Sequence, residues 1–199
     1  MAIGTRLLVL AGLVAPFVFI GVDLLTGSSW RGYDFAWRSI SELSAVGSPV
    51  RRSAAPLFAL VNVLTIAFGA GVWRSAGGVA TRVVAAVIVA NGVLALAAAF
   101  FPNQVGVPPR FLTPGVLLAA ASVLCVVIAM ALAVFAFGGW LRVYSISALV
   151  AYLVLTIIGY ASQMQPRVGL QERLVAYTWM AWLGLLAATV LAGRLERGF

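Results

Sequence analysis

The sequence contains no lysine and no histidine, and all thirteen of its basic residues are arginine. Without lysine, the chain cannot hold retinal or pyridoxal phosphate as a Schiff base. Without histidine, the usual haem, copper and zinc sites and any serine–histidine or cysteine–histidine catalytic pair are excluded. The single cysteine, Cys125, lies in an apolar run and has no partner for an intramolecular disulfide. We therefore expect no metal site and no cofactor.

Charge is scarce as well. Charged residues make up 9% of the 199 residues and hydrophobic residues 63%, against about 25% and roughly 45–50% in soluble domains. A soluble core of this size cannot bury so much apolar surface, so the bilayer must be the solvent for most of it. The net charge of +8 comes from arginines scattered singly at the ends of apolar runs. This pattern favours anchoring to lipid headgroups, so we expect contacts with membrane lipids and none with nucleic acid.

Six apolar runs are long enough to cross a bilayer. The sequence therefore predicts an all-α, polytopic membrane protein with six transmembrane helices in one bundle, forming a single domain over residues 1–199. Both termini then lie on one side, and the longer connections 1–2, 3–4 and 5–6 lie on the other. The predicted spans are approximately 7–25, 54–73, 79–101, 115–137, 141–163 and a last one that follows Gln171-Glu172-Arg173 and ends near 192.

The longest connection, residues 27–53, is the motif loop, and it holds two of the five acidic residues. Asp34, Arg38 and Glu42 are spaced by four, so they would share a face if this segment were helical. Carboxylates held against apolar and aromatic walls gain raised pKa values and serve as acids or bases near neutral pH. We interpret Asp34 and Glu42 as candidate catalytic residues, together with Glu172 from the last connection on the same side.

A structural interpretation of the same loop stays open. Ser39-Ile40-Ser41-Glu42 has the Ser-x-x-Glu pattern of a capping box, in which the Ser39 hydroxyl caps the helix and Glu42 reaches back to the Ser39 amide. Gly47 would then end the short helix. No cap explains Asp34.

Other polar residues near this side are candidate ligand-binding residues. Asp23, near the end of the first span, either reaches the interface or points into the bundle. Arginines there could hold a phosphate or a carboxylate. The polar residues of the fifth span are spaced so that they form one helical stripe, which should face the interior and either pack against a neighbouring helix or line a cavity. They are Ser145, Tyr152, Thr156 and Gln163. The candidates are Asp23, Tyr33, Trp37, Arg38, Arg110, Tyr152, Thr156, Gln163 and Arg173.

The motif loop also resembles a known family. Tyr33, the run Ile40-Ser41-Glu42-Leu43-Ser44-Ala45, Gly47 and Pro49 before a span that includes Phe58 resemble bacterial and archaeal membrane proteins of domain-of-unknown-function family 998. Phe101-Pro102 and Glu172-Arg173 are similar to its weaker marks. The resemblance implies a six-helix fold in the cell membrane, with cytoplasmic termini and the motif loop on the outer face. Arginine counts do not test this orientation, because six lie on the terminal side and seven on the other.

The family also resembles the broader Frag/DRAM/Sfk group of six-span proteins, whose association with lipid handling implies a lipid-related role. This chain departs from the family pattern after Phe101-Pro102. An aspartate is expected there, and often a histidine at the start of the fourth span, whereas this chain has Asn103 and Gln104 and no histidine. A metal or proton-relay site at that place is therefore not expected.

Three functions remain open on the sequence alone. The first is a protein that binds or presents a lipid or isoprenoid through a pocket on the face with the long loops. The second is a membrane-embedded enzyme, such as a cyclase or lipid-modifying enzyme, that uses the carboxylates for acid–base chemistry on such a compound. The third is a transporter component, although the sequence shows no clear mid-membrane charge and no internal repeat.

Overall fold

The computed structural model of the chain describes residues 1–107, 112–161 and 167–193, with the side chains of 159–161 excepted. The described residues form helices and no strand, so the predicted all-α fold is confirmed. Six of the helices are long and apolar enough to cross a membrane, as the sequence predicts. In chain order the helices are α1 (Ile3–Ser29), α2 (Ser41–Ser44), α3 (Arg51–Ser75), α4 (Val79–Ala98), α5 (Pro114–Ala136), α6 (Gly139–Ala161) and α7 (Val168–Leu191).

The six long helices pack in a closed ring. Helix α1 packs against α3 and α7, and α4, α5 and α6 complete the ring between α3 and α7. The interior is apolar, with Phe68, Met130 and Trp182 fully buried. Helices α3 and α4 approach so closely that a Cβ atom at Gly69 would lie 3.0 Å from the carbonyl oxygen of Ala85. Small residues permit such close contact, which is how helices associate in a lipid solvent.

Polar side chains join neighbouring helices inside the ring. The Asn91 amide donates to the carbonyl of Ser122 at 2.9 Å, linking α4 to α5, and the Trp182 indole donates to the Ser145 hydroxyl at 3.1 Å, linking α7 to α6. Such interhelical bonds contribute about 1 kcal/mol each. These hydrogen bonds satisfy polar groups that would otherwise lie unpaired in the apolar interior.

The polar stripe of α6 faces the interior, as predicted. Ser145 and Tyr152 are buried, and the Thr156 hydroxyl donates to the Tyr152 carbonyl one turn earlier at 2.7 Å. Ser145 also accepts the interhelical bond from Trp182, which favours helix packing over a cavity lining at that residue. Gln163 lies outside the described residues.

Several helix boundaries differ from those predicted: α1, for example, spans Ile3–Ser29 and extends four residues beyond the predicted span at each end. Two further differences concern the elements around the motif loop. Helix α7 begins at Val168 and not after Arg173, because Gln, Glu and Arg are good helix formers and their side chains find partners inside the protein. Helix α2 spans Ser41–Ser44 and its cap is Ala45, so the chain leaves the helix two residues before Gly47. Gly47, with a φ of +91°, instead makes the turn that leads toward α3.

Candidate functional site

A buried ion pair lies beneath the motif loop. The Asp23 carboxylate of α1 is fully buried and accepts two hydrogen bonds from the Arg173 guanidinium of α7, from Nη2 at 2.7 Å and from Nε at 2.9 Å. The Tyr177 hydroxyl, one turn further along α7, donates to the same carboxylate at 2.5 Å. Asp23 therefore points into the bundle and not toward the membrane interface. The pair joins the end of α1 to the start of α7.

The same guanidinium holds the motif loop in place. Arg173 Nη1 donates to the carbonyls of Phe35 at 2.7 Å, Arg38 at 2.9 Å and Gly169 at 3.0 Å, and Nη2 also donates to the Tyr33 hydroxyl at 2.7 Å. All five N–H groups of the guanidinium thus have acceptors. Because the group is saturated and buried, Arg173 is a structural centre and has no donor left for a ligand.

Tyr33 completes this centre from the loop side. Its hydroxyl accepts the bond from Arg173 and donates to the carbonyl of Ser39 at 2.8 Å. Its ring and that of Phe35 both lie within 5.5 Å of the guanidinium carbon. Burial raises the pKa of Tyr33 to about 12, since the phenolate would have to form away from water.

We expect the ionisation of Tyr33 to be displaced to high pH. An ultraviolet difference titration of wild type against Tyr33→Phe should show one phenolate that forms near pH 12, above the ordinary tyrosine value near 10. The unfolded chain releases this proton first, so this group lowers the free energy of unfolding as the pH rises from about 10 to about 12. Ionisation near pH 10 would contradict the buried position of the hydroxyl.

The carboxylate of Glu172 caps the short helix α2 from another part of the chain. Its Oε2 accepts a hydrogen bond from the backbone amide of Ile40 at 2.8 Å. The predicted capping box is therefore only half correct. The Ser39 hydroxyl does accept from the amide of Glu42 at 3.3 Å, but the Glu42 carboxylate pairs with Arg38 at 3.4 Å and not with the Ser39 amide. The capping role expected of Glu42 thus belongs to Glu172.

Asp34 has a local structural role in a turn, which the sequence analysis did not identify. Its Oδ1 accepts hydrogen bonds from the amides of Ala36 at 2.8 Å and Trp37 at 3.3 Å, which stabilises a turn. Asp34 and Trp37 are both exposed. Arg38 follows this turn and stacks its guanidinium over the Trp30 ring at 4.7 Å.

A cleft of about 410 Å³ opens beside these residues, between the motif loop, the α4–α5 connection and the start of α7. A short parallel bridge fixes the motif loop to the α4–α5 connection. The Val46 amide donates to the carbonyl of Asn103 at 2.8 Å, and the Val105 amide donates to the carbonyl of Val46 at 3.0 Å. The cleft is lined by Ser39, Ser41, Glu42, Ala45, Asn103, Gln104, Gly106, Val107, Val168 and Glu172.

The polar part of the cleft lining is acidic. Two carboxylates, Glu42 and Glu172, line the same cleft, together with the hydroxyls of Ser39 and Ser41, which lie 2.9 Å apart. The described lining contains no basic side chain. Among the described residues no group of three metal-ligating side chains comes together. The arrangement is suited to hydrogen bonds and charge contacts with a small polar group.

The structure separates the predicted site residues into distinct places. Glu42 and Glu172 meet at the cleft, with Arg38 bonded to Glu42. Asp23, Tyr33 and Arg173 form the buried centre; Asp34 and Trp37 lie in the exposed turn; Tyr152 and Thr156 belong to the α6 stripe. Arg110 and Gln163 lie outside the described residues.

The sequence analysis missed several residues of the buried ion pair and of the cleft. Tyr177 lies four residues after Arg173 on the same helix, so helical spacing was a signal that it shares the Arg173 face. Asn103 and Gln104, noted only as departures from a family pattern, line the cleft. Ser39 and Ser41 were interpreted only as parts of a cap.

Comparison with known proteins bears on the identity of the chain. No curated protein and no solved structure matches it. A model of the family described as "Protein of unknown function (DUF998)" matches residues 13–189, from the first to the last long helix. The matched range includes the motif loop and the Glu172-Arg173 pair that holds it. This chain therefore belongs to the DUF998 family.

Proposed function

We propose that this protein binds a lipid or isoprenoid whose polar end enters the cleft between the motif loop, the α4–α5 connection and α7. The observation that carries the proposal is the cleft itself, which has a volume of about 410 Å³. Its lining residues come from three segments that are distant in sequence and adjacent in the fold. It lies at the ends of membrane helices, where the head of an amphiphile meets water. The volume is within the range of small-molecule sites.

The distribution of side chains supports an amphiphile. Carboxylates, hydroxyls and amides supply hydrogen-bonding groups for a polar head, and Ala45, Val107 and Val168 supply apolar surface next to them. Val107 and Val168 are half or nearly half exposed. A few polar groups among apolar ones are typical of ligand sites, because they fix the orientation of the ligand.

We place the protein in the plasma membrane, with its termini in the cytoplasm and the cleft on the outer face. This orientation follows the family resemblance of the motif loop. Arginine numbers on the two sides are too similar to support either orientation.

A membrane-embedded enzyme is the second candidate. The specific observation in its favour is that Glu42 and Glu172 line one cleft, since two carboxyl groups with different surroundings can divide the roles of acid and base. Glu42 is paired with an arginine, whereas Glu172 accepts a backbone N–H bond. Conversion of the bound compound by the purified protein, lost in Glu42→Gln, would favour this candidate over simple binding.

The binding proposal is tested by purification into native-lipid nanodiscs, followed by mass spectrometry of the small molecules that remain bound. We expect one lipid or isoprenoid to be enriched over bulk lipid with wild type and lost with Glu42→Gln, because that carboxylate lines the cleft. Asp34→Asn is the matched control, since it makes the same chemical change on an exposed turn outside the cleft. Equal lipid content in all three samples would contradict the proposal.

A further inference from the structure

The Arg38–Glu42 pair at the edge of the cleft differs from the buried pair below it. Its N–O distance is 3.4 Å, and the two side chains are 37% and 30% exposed. The Asp23–Arg173 pair is at 2.7 Å and almost fully buried. A long, solvated pair contributes little to stability, so a ligand can separate its members without disturbing the fold.

Both members of the exposed pair stand on a fixed backbone. The Arg38 carbonyl accepts from Arg173, and the Arg38 guanidinium rests on the Trp30 ring. The Glu42 amide is held by the Ser39 hydroxyl. A positive and a negative group are therefore presented side by side, at a set spacing, before any ligand arrives.

The two members face different surroundings. Glu42 lines the cleft together with Glu172, and the described lining holds no basic side chain. A cationic group inside the cleft would therefore meet two carboxylates, while an anionic group would be stabilised beside Arg38, the arginine bonded to Glu42. A guanidinium binds phosphate oxygens well, because its planar fork of donors matches them.

From this arrangement we infer the class of the ligand: a phospholipid with a zwitterionic head, whose primary amine enters the cleft beside Glu42 while its phosphate takes the place of Glu42 on Arg38. The inference rests on the proposed function and specifies the ligand of the same cleft. It requires a phosphate and an amine a few bonds apart, as in an ethanolamine headgroup.

The test is a competition among lipids with identical acyl chains and different heads. Delipidated protein is offered equal amounts of phosphatidylethanolamine, phosphatidylcholine and phosphatidylglycerol, and the retained lipid is measured by native mass spectrometry. Wild type should prefer phosphatidylethanolamine over phosphatidylglycerol by about tenfold, the typical effect of one charged hydrogen bond. Phosphatidylcholine, which has no N–H donor on its cation, should bind less tightly than phosphatidylethanolamine.

Two variants separate the two halves of the recognition. Glu42→Gln should remove the preference for the amine and leave phosphatidylglycerol binding unchanged or improved. Arg38→Gln should weaken all three phospholipids, because each has the phosphate. Arg31→Gln, a change at an exposed arginine of the same loop, is the control and should alter none of them. Thermal unfolding of each variant verifies that the fold is intact.

Other results overturn the inference in distinguishable ways. Equal retention of phosphatidylglycerol and phosphatidylethanolamine by wild type would contradict the zwitterionic head, and so would equal weakening of both lipids by Glu42→Gln. If none of the three phospholipids is retained but an isoprenoid or another amphiphile co-purifies from native membranes, the inference is wrong and the proposed function stands. If no amphiphile is retained under either condition, both are wrong.

Discussion

Replacing Arg173 with glutamine is expected to destabilise the protein by about 3–5 kcal/mol, the typical effect of removing one member of a buried ion pair. The Asp23 carboxylate would remain fully buried without its cation. The carbonyls of Phe35 and Arg38 would also lose their shared donor. Since total stabilities are about 5–15 kcal/mol, we expect a large drop in both the yield of monodisperse protein and its unfolding temperature in detergent.

Matched variants show whether the effect comes from the buried charge. Arg38→Gln removes an arginine from a half-exposed pair and should change stability by at most about 1 kcal/mol. The double variant Asp23→Asn with Arg173→Gln should be more stable than Arg173→Gln alone, because no unpaired charge remains in the interior. An unfolding temperature of Arg173→Gln equal to that of wild type would contradict the role assigned to Arg173.

Gly169→Ala is expected to displace the motif loop and to destabilise the protein by about 1–3 kcal/mol, the usual range for overpacking. A Cβ atom at this position would clash with the carbonyl oxygen of Arg38 and would lie 2.6 Å from that of Phe35. The backbone bond from the Leu170 amide to the Ala36 carbonyl, 3.0 Å in length, fixes the loop at this close approach. Because the loop cannot retreat without breaking this bond, hydrogen exchange in the motif loop should increase.

Gly21→Ala is the control for this change, as it places the same methyl group on α1 where no atom lies within 4 Å. Alanine is a better helix former than glycine, so Gly21→Ala should be neutral or slightly stabilising. Equal unfolding temperatures and loop exchange rates for Gly169→Ala and Gly21→Ala would show that the loop does not depend on its contact with α7.

The architecture was predictable from the sequence because an apolar run that crosses the bilayer must form a helix long enough to span it. Runs such as the one between Ala54 and Trp73 have few alternatives in a lipid solvent, where the backbone must satisfy its own hydrogen bonds. The helix boundaries were less predictable where polar residues are good helix formers, as at Glu172 and Arg173. Those residues look like a connection in the sequence and are helical in the structure.

The site was less predictable because its bonds join distant parts of the chain. Ile40 and Glu172 are 132 positions apart, and Asp23 and Arg173 are 150 apart. A local pattern assigned the capping role to Glu42, since a sequence pattern contains only near neighbours. That Glu172 takes this role, leaving Glu42 to pair with Arg38 at the cleft, depends on the ring of helices and could not be derived from spacing.

The measurement that tests the central claim most directly is an experimental structure of the protein with its co-purified amphiphile, grown from a lipidic mesophase. We predict that the polar end of this molecule lies in the cleft, within hydrogen-bonding distance of the Glu42 carboxylate. A second cavity of about 410 Å³ near the termini, lined in part by Arg74 and Ser75, offers an alternative position. An amphiphile bound there, or only along the lipid-facing helices, with the cleft holding water, would contradict the account.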